Sequence, residues 1–296
     1  MNAWIVGARP RTLPAAVVPV IVGTAAAAGM DGDTGSLKGV IIWRFTAALV
    51  VSLALQVGVN YANDYSDGVR GTDDERVGPL RLTASGVRPA AAVKRAAMLA
   101  FAVAAVCGLV LAIATTWWLL LVGVAAIASA WFYTGGPRPY GYAGLGELFV
   151  FVFFGVVATT GSAFVQIERI TPLTLLVSIP VGLLATALLV VNNLRDIPGD
   201  TVAGKRTLAV RLGDTRTRVL YVAMMVAPFV AVPFLCGLSG RPVGAMSLFA
   251  ILLVRRPVQR VIEGARGPAL IGVLGDTGRV QLVFGLLLAV GLFIGG

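Results

Sequence analysis

Long apolar runs dominate this chain and leave few ways for it to fold. Charged residues are 13% of the 296 residues and hydrophobic residues 57%, whereas about a quarter of the residues in a soluble domain are charged. Many of the runs approach or exceed the roughly 17–25 residues that a helix needs to cross a hydrocarbon core about 30 Å thick. Backbone groups in lipid must form hydrogen bonds within their own segment, so such runs fold as helices. The sequence therefore predicts an all-α integral membrane protein.

The apolar runs and the residues that break them predict about nine transmembrane helices. The eighth run is the least regular, because Gly244 to Val254 is short for a span and Arg255, Arg256 and Pro257 follow it directly. We expect a single transmembrane domain over 1–296, with loops near 64–90 and 195–216 that cap one face. The predicted helices lie near 12–30, 40–63, 91–114, 116–134, 146–166, 172–194, 217–237, 243–262 and 279–295.

The positive charges predict the orientation of these helices. If the N-terminus is cytoplasmic, only Lys38, Arg44, Arg169 and Arg241 fall on the outer side, and the other 20 of the 24 lysines and arginines fall inside. That split follows the positive-inside rule, so we expect a multi-pass protein of the cell membrane with its N-terminus and its polar loops facing the cytoplasm. No nucleic-acid-binding motif accompanies the positive charge, so we expect no nucleic-acid partner.

Two aspartate clusters follow helices of similar character. At the end of the second predicted helix, Asn60, Asp64 and Asp67 fall at i, i+4 and i+7, which places them on one face if the helix continues. After the sixth, Asn192, Asp196 and Asp200 repeat at i, i+4 and i+8, although Pro198 and Gly199 leave the helical continuation open. We interpret the recurrence as a weak internal repeat.

Carboxylates gathered beside apolar helices need positive partners. Two of them about 6 Å apart repel by roughly 3 kcal/mol at an effective dielectric constant near 20. Hard oxygen ligands without histidine or cysteine nearby favour Mg²⁺, which typically bridges one or two carboxylates to substrate phosphates. The bland alternative is that the aspartates form ordinary loop salt bridges with Arg70, Arg76, Arg195 or Lys205. That alternative does not explain why an asparagine precedes each cluster by one helical turn.

These motifs resemble the UbiA-type superfamily of intramembrane prenyltransferases. The family's first motif is Asn-Asp-x-x-Asp-x-x-x-Asp, and Asn63-Asp64-x-x-Asp67 matches it, although Gly71 replaces the last aspartate and Asp73 lies two residues on. With this departure, the motif resembles that of the branch that prenylates 1,4-dihydroxy-2-naphthoate in menaquinone synthesis. Further matches to this branch are the tracts at 9–14, 76–81, 192–196 and 204–213.

The resemblance implies a ring of nine helices around a central cavity and a specific chemistry. A polyprenyl group passes from polyprenyl diphosphate to the naphthoate, diphosphate and CO2 leave, and demethylmenaquinone results. Mg²⁺, as two ions bridged by the diphosphate, supplies Lewis-acid catalysis. The site residues implied are the metal ligands Asp64, Asp67, Asp196 and Asp200; the diphosphate ligands Arg70, Arg81, Arg138, Arg195 and Lys205; the substrate contacts Asn60, Asn63, Asn192, Asn193, Asp73 and Tyr65; and Tyr133, a ring that faces the allylic cation.

Alternatives stay open at this point. Tyrosines are also enriched at membrane interfaces as anchors, so Tyr65, Tyr133 and Tyr140 need no catalytic role. Another aromatic acid, such as 4-hydroxybenzoate or homogentisate, is an alternative acceptor, since no residue demands the naphthoate on physical grounds. A cation-coupled transporter is a further alternative, because acidic residues within membranes often mark ion pathways. The chain length of the isoprenoid and the oligomeric state are not predicted.

Overall fold

The computed structural model describes residues 2–30, 37–72 and 80–296, and all regular structure in these residues is helical. Short 3-10 turns occur at Pro10–Thr12, Tyr140–Ala143 and Pro242–Ala250. The helices are α1 Ala3–Gly7, α2 Pro14–Ala27, α3 Ile42–Val69, α4 Ala90–Ala114, α5 Trp118–Phe132, α6 Gly146–Ile167, α7 Pro172–Val202, α8 Leu208–Leu238, α9 Ile251–Ile262 and α10 Ala269–Ile294.

Six of these helices are long and apolar enough to cross a membrane, namely α3, α4, α6, α7, α8 and α10. A seventh is added if α1 and α2, which are bent by 51° relative to each other, count as one span. The predicted number of nine is therefore reached only by counting two weaker elements. Helix α5 has 15 residues, and the predicted eighth span is divided between a 3-10 turn and α9.

Four helices extend further than the sequence predicted, and the first is α3, which continues from the predicted end near 63 to Val69. Helix α7 continues through Pro198 to Val202, well past the predicted end near 194. Helical structure in α8 begins at Leu208 rather than near 217, with a kink at Gly213 (φ 75°, ψ 173°), so the predicted cap loop at 195–216 shortens to 203–207. Helix α10 begins at Ala269, ten residues before the predicted start. In α3, α7 and α8 polar and charged residues extend the helix beyond its apolar part, and in α10 Asp276 and three glycines interrupt the apolar run that begins at Ala269, so a hydropathy criterion makes these helices too short.

Helices α2 and α7 are buried along most of their length and pack against α6 and α10. Small residues allow the close approach that helix packing in membranes requires. A Cβ atom added at Gly23 of α2 would lie 2.1 Å from the carbonyl oxygen of Thr159 in α6. A Cβ atom added at Gly155 of α6 would lie 2.5 Å from the Cα atom of Gly182 in α7. Substitution at either glycine would therefore push two helices apart.

The four cations that the sequence assigned to one face all bind carbonyl groups at or beside helix ends. Lys38 donates to the carbonyls of Phe293, Ile294 and Gly296 at the end of α10. Arg44 donates to Val165 near the end of α6 and to Ala114 at the end of α4, at 2.9 and 3.1 Å. Arg241 donates to carbonyls of residues 292 and 28, and Arg169 donates to that of residue 30. Cations suit these positions because the carbonyls at a helix C-terminus lack partners within the helix.

Candidate active site

A cavity of about 870 Å³ lies among the helices. Along α3 its lining extends from Ala48 to Asp67, which corresponds to about 28 Å at the helical rise of 1.5 Å per residue. The ends of α3 and α7 contribute amides, carboxylates and cations to one end of this lining. Helices α4, α5 and α6 contribute mainly leucine, valine, alanine and phenylalanine to the rest. The cavity therefore joins a polar, charged region to a long apolar one.

Asn63 and Asp67, one helical turn apart in α3, line the polar region. Both are buried, and the Asn63 Oδ1 accepts a hydrogen bond from the Thr134 hydroxyl at 2.8 Å. Asn60 also lines the cavity, but its amide mainly secures the N-terminal segment. Its Nδ2 donates to the Ala8 carbonyl at 2.9 Å and to the Thr12 hydroxyl at 3.3 Å.

Asp64, by contrast, does not lie in the cavity lining. Its two carboxylate oxygens accept hydrogen bonds from the backbone amides of Leu82 and Thr83, each at 2.9 Å. At about 100° per residue, Asp64 is rotated about 40° from Asn60 around the helix axis. Asn63 and Asp67 are rotated from Asn60 in the opposite direction. The expected shared face of Asn60, Asp64 and Asp67 therefore needs correction, and the cavity face consists of Asn60, Asn63 and Asp67.

Asn192, Asp196 and Asp200 of α7 all line the cavity, so the helical continuation that the sequence left open does occur. The Arg195 guanidinium contacts both oxygens of Asp196, at 2.7 Å from Nε and 2.9 Å from Nη2. The same guanidinium donates to the Asn192 Oδ1 at 2.9 Å. In α3 the cavity residues with the same i, i+4 spacing are Asn63 and Asp67 rather than the predicted pair Asn60 and Asp64.

A tyrosine and a lysine meet at Asp67. The Tyr142 hydroxyl donates to the Asp67 Oδ1 at 2.6 Å, and the Lys205 Nζ lies 3.0 Å from the same oxygen. The Lys205 Nζ also lies 4.9 Å from the centre of the Tyr142 ring, within the range of a cation–π contact. Burial, and to a lesser extent the Asp67 carboxylate, raise the pKa of the Tyr142 phenol, so this hydroxyl stays a donor. Sequence reasoning missed Tyr142, although it lies in the glycine-containing loop between α5 and α6.

The five predicted diphosphate ligands separate into two groups. Arg81, Arg195 and Lys205 are buried and line the cavity. Arg70 and Arg138 are exposed and do not line it. The Arg70 guanidinium instead donates to the carbonyls of Thr134 and Gly136, so it holds the loop after α5.

The predicted aromatic residues separate in the same way. Tyr133 lines the cavity beside Tyr140, with ring centres 5.5 Å apart. Tyr65 lies outside the lining, where its ring stacks on Trp131 and the Lys94 Nζ lies 5.6 Å from its centre. A contact between Tyr65 and a ligand in the cavity is therefore not supported. The predicted contact Asp73 lies outside the described residues.

In the described part of the chain, no three acidic, histidine or cysteine side chains come close enough together to hold a metal ion by themselves. The two predicted aspartate clusters therefore lack a complete set of protein ligands of these types in the described residues. The donors on the cavity wall are nevertheless hard oxygen atoms of the kind that Mg²⁺ prefers when a phosphate completes its coordination. These donors are the carboxylates of Asp67, Asp196 and Asp200 and the amides of Asn63 and Asn192.

Comparison with known proteins gives a consistent result. Residues 16–271 match the model of the UbiA prenyltransferase family. The chain is 48% identical over 292 residues to the 1,4-dihydroxy-2-naphthoate octaprenyltransferase of Mycobacterium tuberculosis, covering 99% of this chain and 97% of that protein. It is 35% identical to the Escherichia coli enzyme of the same description, covering 99% and 96%. The fold is similar to that of a UbiA homolog from Archaeoglobus fulgidus bound to DMAPP and Mg²⁺, with a TM-score of 0.65, 14% identity and 99% of each chain covered.

Proposed function

This chain belongs to the UbiA prenyltransferase family, and on that premise we propose that it prenylates 1,4-dihydroxy-2-naphthoate in menaquinone synthesis. The donor is a polyprenyl diphosphate, and diphosphate and CO2 leave. The relatives named as 1,4-dihydroxy-2-naphthoate octaprenyltransferases match nearly the whole chain, which supports this acceptor. The observation that carries the proposal is the cavity, because one continuous space offers oxygen ligands and buried cations at one end and an apolar wall along the rest.

The donor set fits Mg²⁺, and we assign its ligands to the oxygen donors on the cavity wall. Asp67, Asp196 and Asp200 would provide carboxylate ligands, and Asn63 and Asn192 would provide amide oxygens, to the two ions that the resemblance implies. When bound, the metal neutralises the diphosphate and stabilises it as a leaving group. Asp64 is no longer assigned to the metal, because its carboxylate binds backbone amides away from the cavity.

The buried cations and the aromatic rings complete the site. Arg81, Arg195 and Lys205 lie on the same wall as the oxygen donors, where they bind the diphosphate oxygens through charge-assisted hydrogen bonds. Tyr133 and Tyr140 present ring faces that stabilise a neighbouring allylic cation. The apolar lining excludes water, which would otherwise capture the cation.

The reaction balances without a redox cofactor. The carbon–oxygen bond of the prenyl diphosphate breaks, and its electron pair leaves with the diphosphate. The ring carbon that carries the carboxylate supplies the pair for the new carbon–carbon bond, and the carbon–carboxylate bond returns its pair to the ring as CO2 leaves. The immediate product is the quinol form of demethylmenaquinone.

The arrangement in the membrane is part of the proposal. Nine spans surround the central cavity as a single domain, the N-terminus faces the cytoplasm, and the polar end of the cavity opens on the cytoplasmic side of the cell membrane. The charge distribution supports this orientation, because 20 of the 24 basic residues fall on the cytoplasmic side in this arrangement. An accessibility assay with a single cysteine placed in the loop at 203–207, in a variant lacking Cys107 and Cys236, would test it. Labelling of that cysteine only from outside intact cells would contradict the orientation.

The function is tested with the full chain in nanodiscs, radiolabelled farnesyl diphosphate and three aromatic acids. We expect transfer to 1,4-dihydroxy-2-naphthoate, with far less to 4-hydroxybenzoate or homogentisate. Chelation with EDTA should abolish transfer, and added Mg²⁺ should restore it. Transfer only to a benzoate would contradict the acceptor assignment, and full activity in EDTA would contradict the role of the metal.

A further inference from the structure

One wall of the cavity is aromatic. Tyr133, Tyr140, Phe149 and Phe153 all line it. The Tyr140 and Phe149 rings stack with centres 4.0 Å apart, and the Phe149 and Phe153 rings are 6.1 Å apart. The Tyr140 hydroxyl donates to the Ser129 carbonyl at 2.9 Å, so that ring is held in place by a hydrogen bond as well as by packing. Rings arranged in this way offer flat faces to an aromatic ligand.

Asn193 of α7 lies beside this wall. Leu189, one helical turn before Asn193, packs against Gly146, and so does the Tyr133 ring. A Cβ atom added at Gly146 would lie 3.0 Å from the Tyr133 Cε2 and 3.3 Å from the Leu189 Cδ2. Asn193 itself lines the cavity and is 6% exposed. An amide thus stands next to the rings that could contact an aromatic acceptor.

Glu147, the second residue of α6, binds this amide. The Asn193 Nδ2 donates to the Glu147 Oε1 at 2.9 Å, and Glu147 is 7% exposed. In the described ranges, no lysine or arginine forms an ion pair with Glu147. A buried carboxylate without a cationic partner is costly. A neutral residue would fill this position at a lower desolvation cost, so we infer a functional role for the carboxylate.

The chemistry of the pair fixes the orientation of the amide. A carboxylate accepts hydrogen bonds, so the amino group of Asn193 points to Glu147 and the amide oxygen is left for another partner. Among the residues that the structure describes, the contact with Glu147 is the one hydrogen bond of the Asn193 side chain, so its Oδ1 accepts none from them. The neighbouring Asn192 differs, because its amide is already bound to Arg195 and Asp196. The two adjacent asparagines therefore serve different purposes.

We propose that Asn193, oriented by Glu147, accepts a hydrogen bond from a ring hydroxyl of the aromatic acceptor. This inference rests on the function proposed above. The hydroxyl concerned is the one at position 4 of 1,4-dihydroxy-2-naphthoate, because the hydroxyl at position 1 donates to the adjacent carboxylate of the same molecule. Asn193 is then a specificity-determining residue that contacts the substrate, and Glu147 is a positioning residue that acts through it.

The test compares two ligands that differ by this hydroxyl. Equilibrium binding of 1,4-dihydroxy-2-naphthoate and of 1-hydroxy-2-naphthoate is measured with the full chain in nanodiscs, in the presence of Mg²⁺ and farnesyl thiolodiphosphate. We expect the wild-type protein to bind the dihydroxy acid about tenfold more tightly, the effect of one buried hydrogen bond. In Asn193→Ala the ratio of the two dissociation constants should fall to about one.

Glu147→Gln tests the positioning role, since a glutamine can donate as well as accept and no longer fixes the amide. We expect the same ratio to fall to about a third of the wild-type value, while the KM for farnesyl diphosphate in a transfer assay stays within about twofold. Glu263→Gln, at an exposed carboxylate, is the matched control and should keep the wild-type ratio. If Glu147→Gln does not fold, Asn193→Ala decides the outcome alone.

The results separate the two proposals. A wild-type protein that prenylates the naphthoate but shows the same binding ratio in Asn193→Ala would overturn the role of Asn193 alone. An unchanged ratio in a folded Glu147→Gln, with a reduced one in Asn193→Ala, would overturn the positioning role. A wild-type protein that neither binds nor prenylates the naphthoate would overturn the proposed function itself.

Discussion

The two neighbouring aspartates of α3, Asp64 and Asp67, should respond differently to the same substitution. Asp64 is 1% exposed, and its two oxygens accept hydrogen bonds from the amides of Leu82 and Thr83. Asp64→Asn retains one accepting oxygen and turns an amino group towards a backbone N–H. We therefore expect this variant to lose stability and to keep its response to Mg²⁺.

The size of the effect follows from those two contacts. A hydrogen bond to a charged group contributes about 1.5–3 kcal/mol, and the substitution removes one such bond and leaves a buried N–H without an acceptor. A loss of about 2–4 kcal/mol in the free energy of unfolding is expected, which corresponds to a fall in Tm of roughly 4–16 °C for a chain of this size. Below that Tm, transfer should stay within about threefold of the wild-type rate, because Asp64 does not reach the cavity.

The measurement pairs thermal unfolding in detergent, followed by tryptophan fluorescence, with transfer rates over a series of Mg²⁺ concentrations. Asp67→Asn is the comparison, because Asp67 lines the cavity and is assigned to the metal. This variant should lose at least about a hundredfold in rate and require more Mg²⁺. If Asp64→Asn unfolded like the wild-type protein but lost activity and shifted the Mg²⁺ requirement, our assignment of Asp64 would be refuted and the sequence-based one restored.

Two further predictions concern other contacts. Tyr142→Phe removes the hydroxyl that donates to Asp67 at 2.6 Å, so kcat/KM for the diphosphate should fall by about tenfold or more. Tyr65→Phe, outside the cavity, should match the wild-type value, and equal values for the two variants would count against a role for Tyr142. Arg44→Met leaves the carbonyls of residues 114 and 165 without this donor and should lower the free energy of unfolding by about 2 kcal/mol. Arg95→Met at an exposed site should change it by less than about 0.5 kcal/mol, and thermal unfolding that shows no difference between the two variants would contradict the capping role.

Much of the site could be predicted from the sequence because its signals are local. The i, i+4 spacing of asparagine and aspartate pointed to Asn192 and Asp196, which both line the cavity, whereas of the corresponding pair in α3, Asn60 and Asp64, only Asn60 does. The apolar runs likewise predicted the six long helices, since span length is a property of a single segment. Polar residues are scarce within the spans, so few other positions were candidates for site residues.

The direction of Asp64 could not be predicted, because its partners are amides 18 and 19 residues further along the chain. Its angular offset from the cavity face is only about 40°, which a motif match does not resolve. Tyr142 was missed for a similar reason, since its contact with Asp67 spans 75 residues and depends on the path of a glycine-containing loop. The early start of α10 was missed because Asp276 and the glycines at 272, 275 and 278 interrupt the apolar run, although all of them lie within the helix.

The two faces of the protein use their buried cations in different ways, and this difference bears on where an anionic substrate can bind. On one face the buried Arg241 donates to the carbonyls of residues 292 and 28. At the polar end of the cavity, Lys205 and Arg195 instead contact the carboxylates of Asp67 and Asp196. When a metal ion replaces a cation at a carboxylate, the cation is released and no backbone group loses its partner. When a cation leaves a helix-end carbonyl, that carbonyl is left without a hydrogen-bond donor. Of the buried cations in the described residues, Arg195 and Lys205 pair with carboxylates, and both line the cavity, which favours binding of a diphosphate at that end.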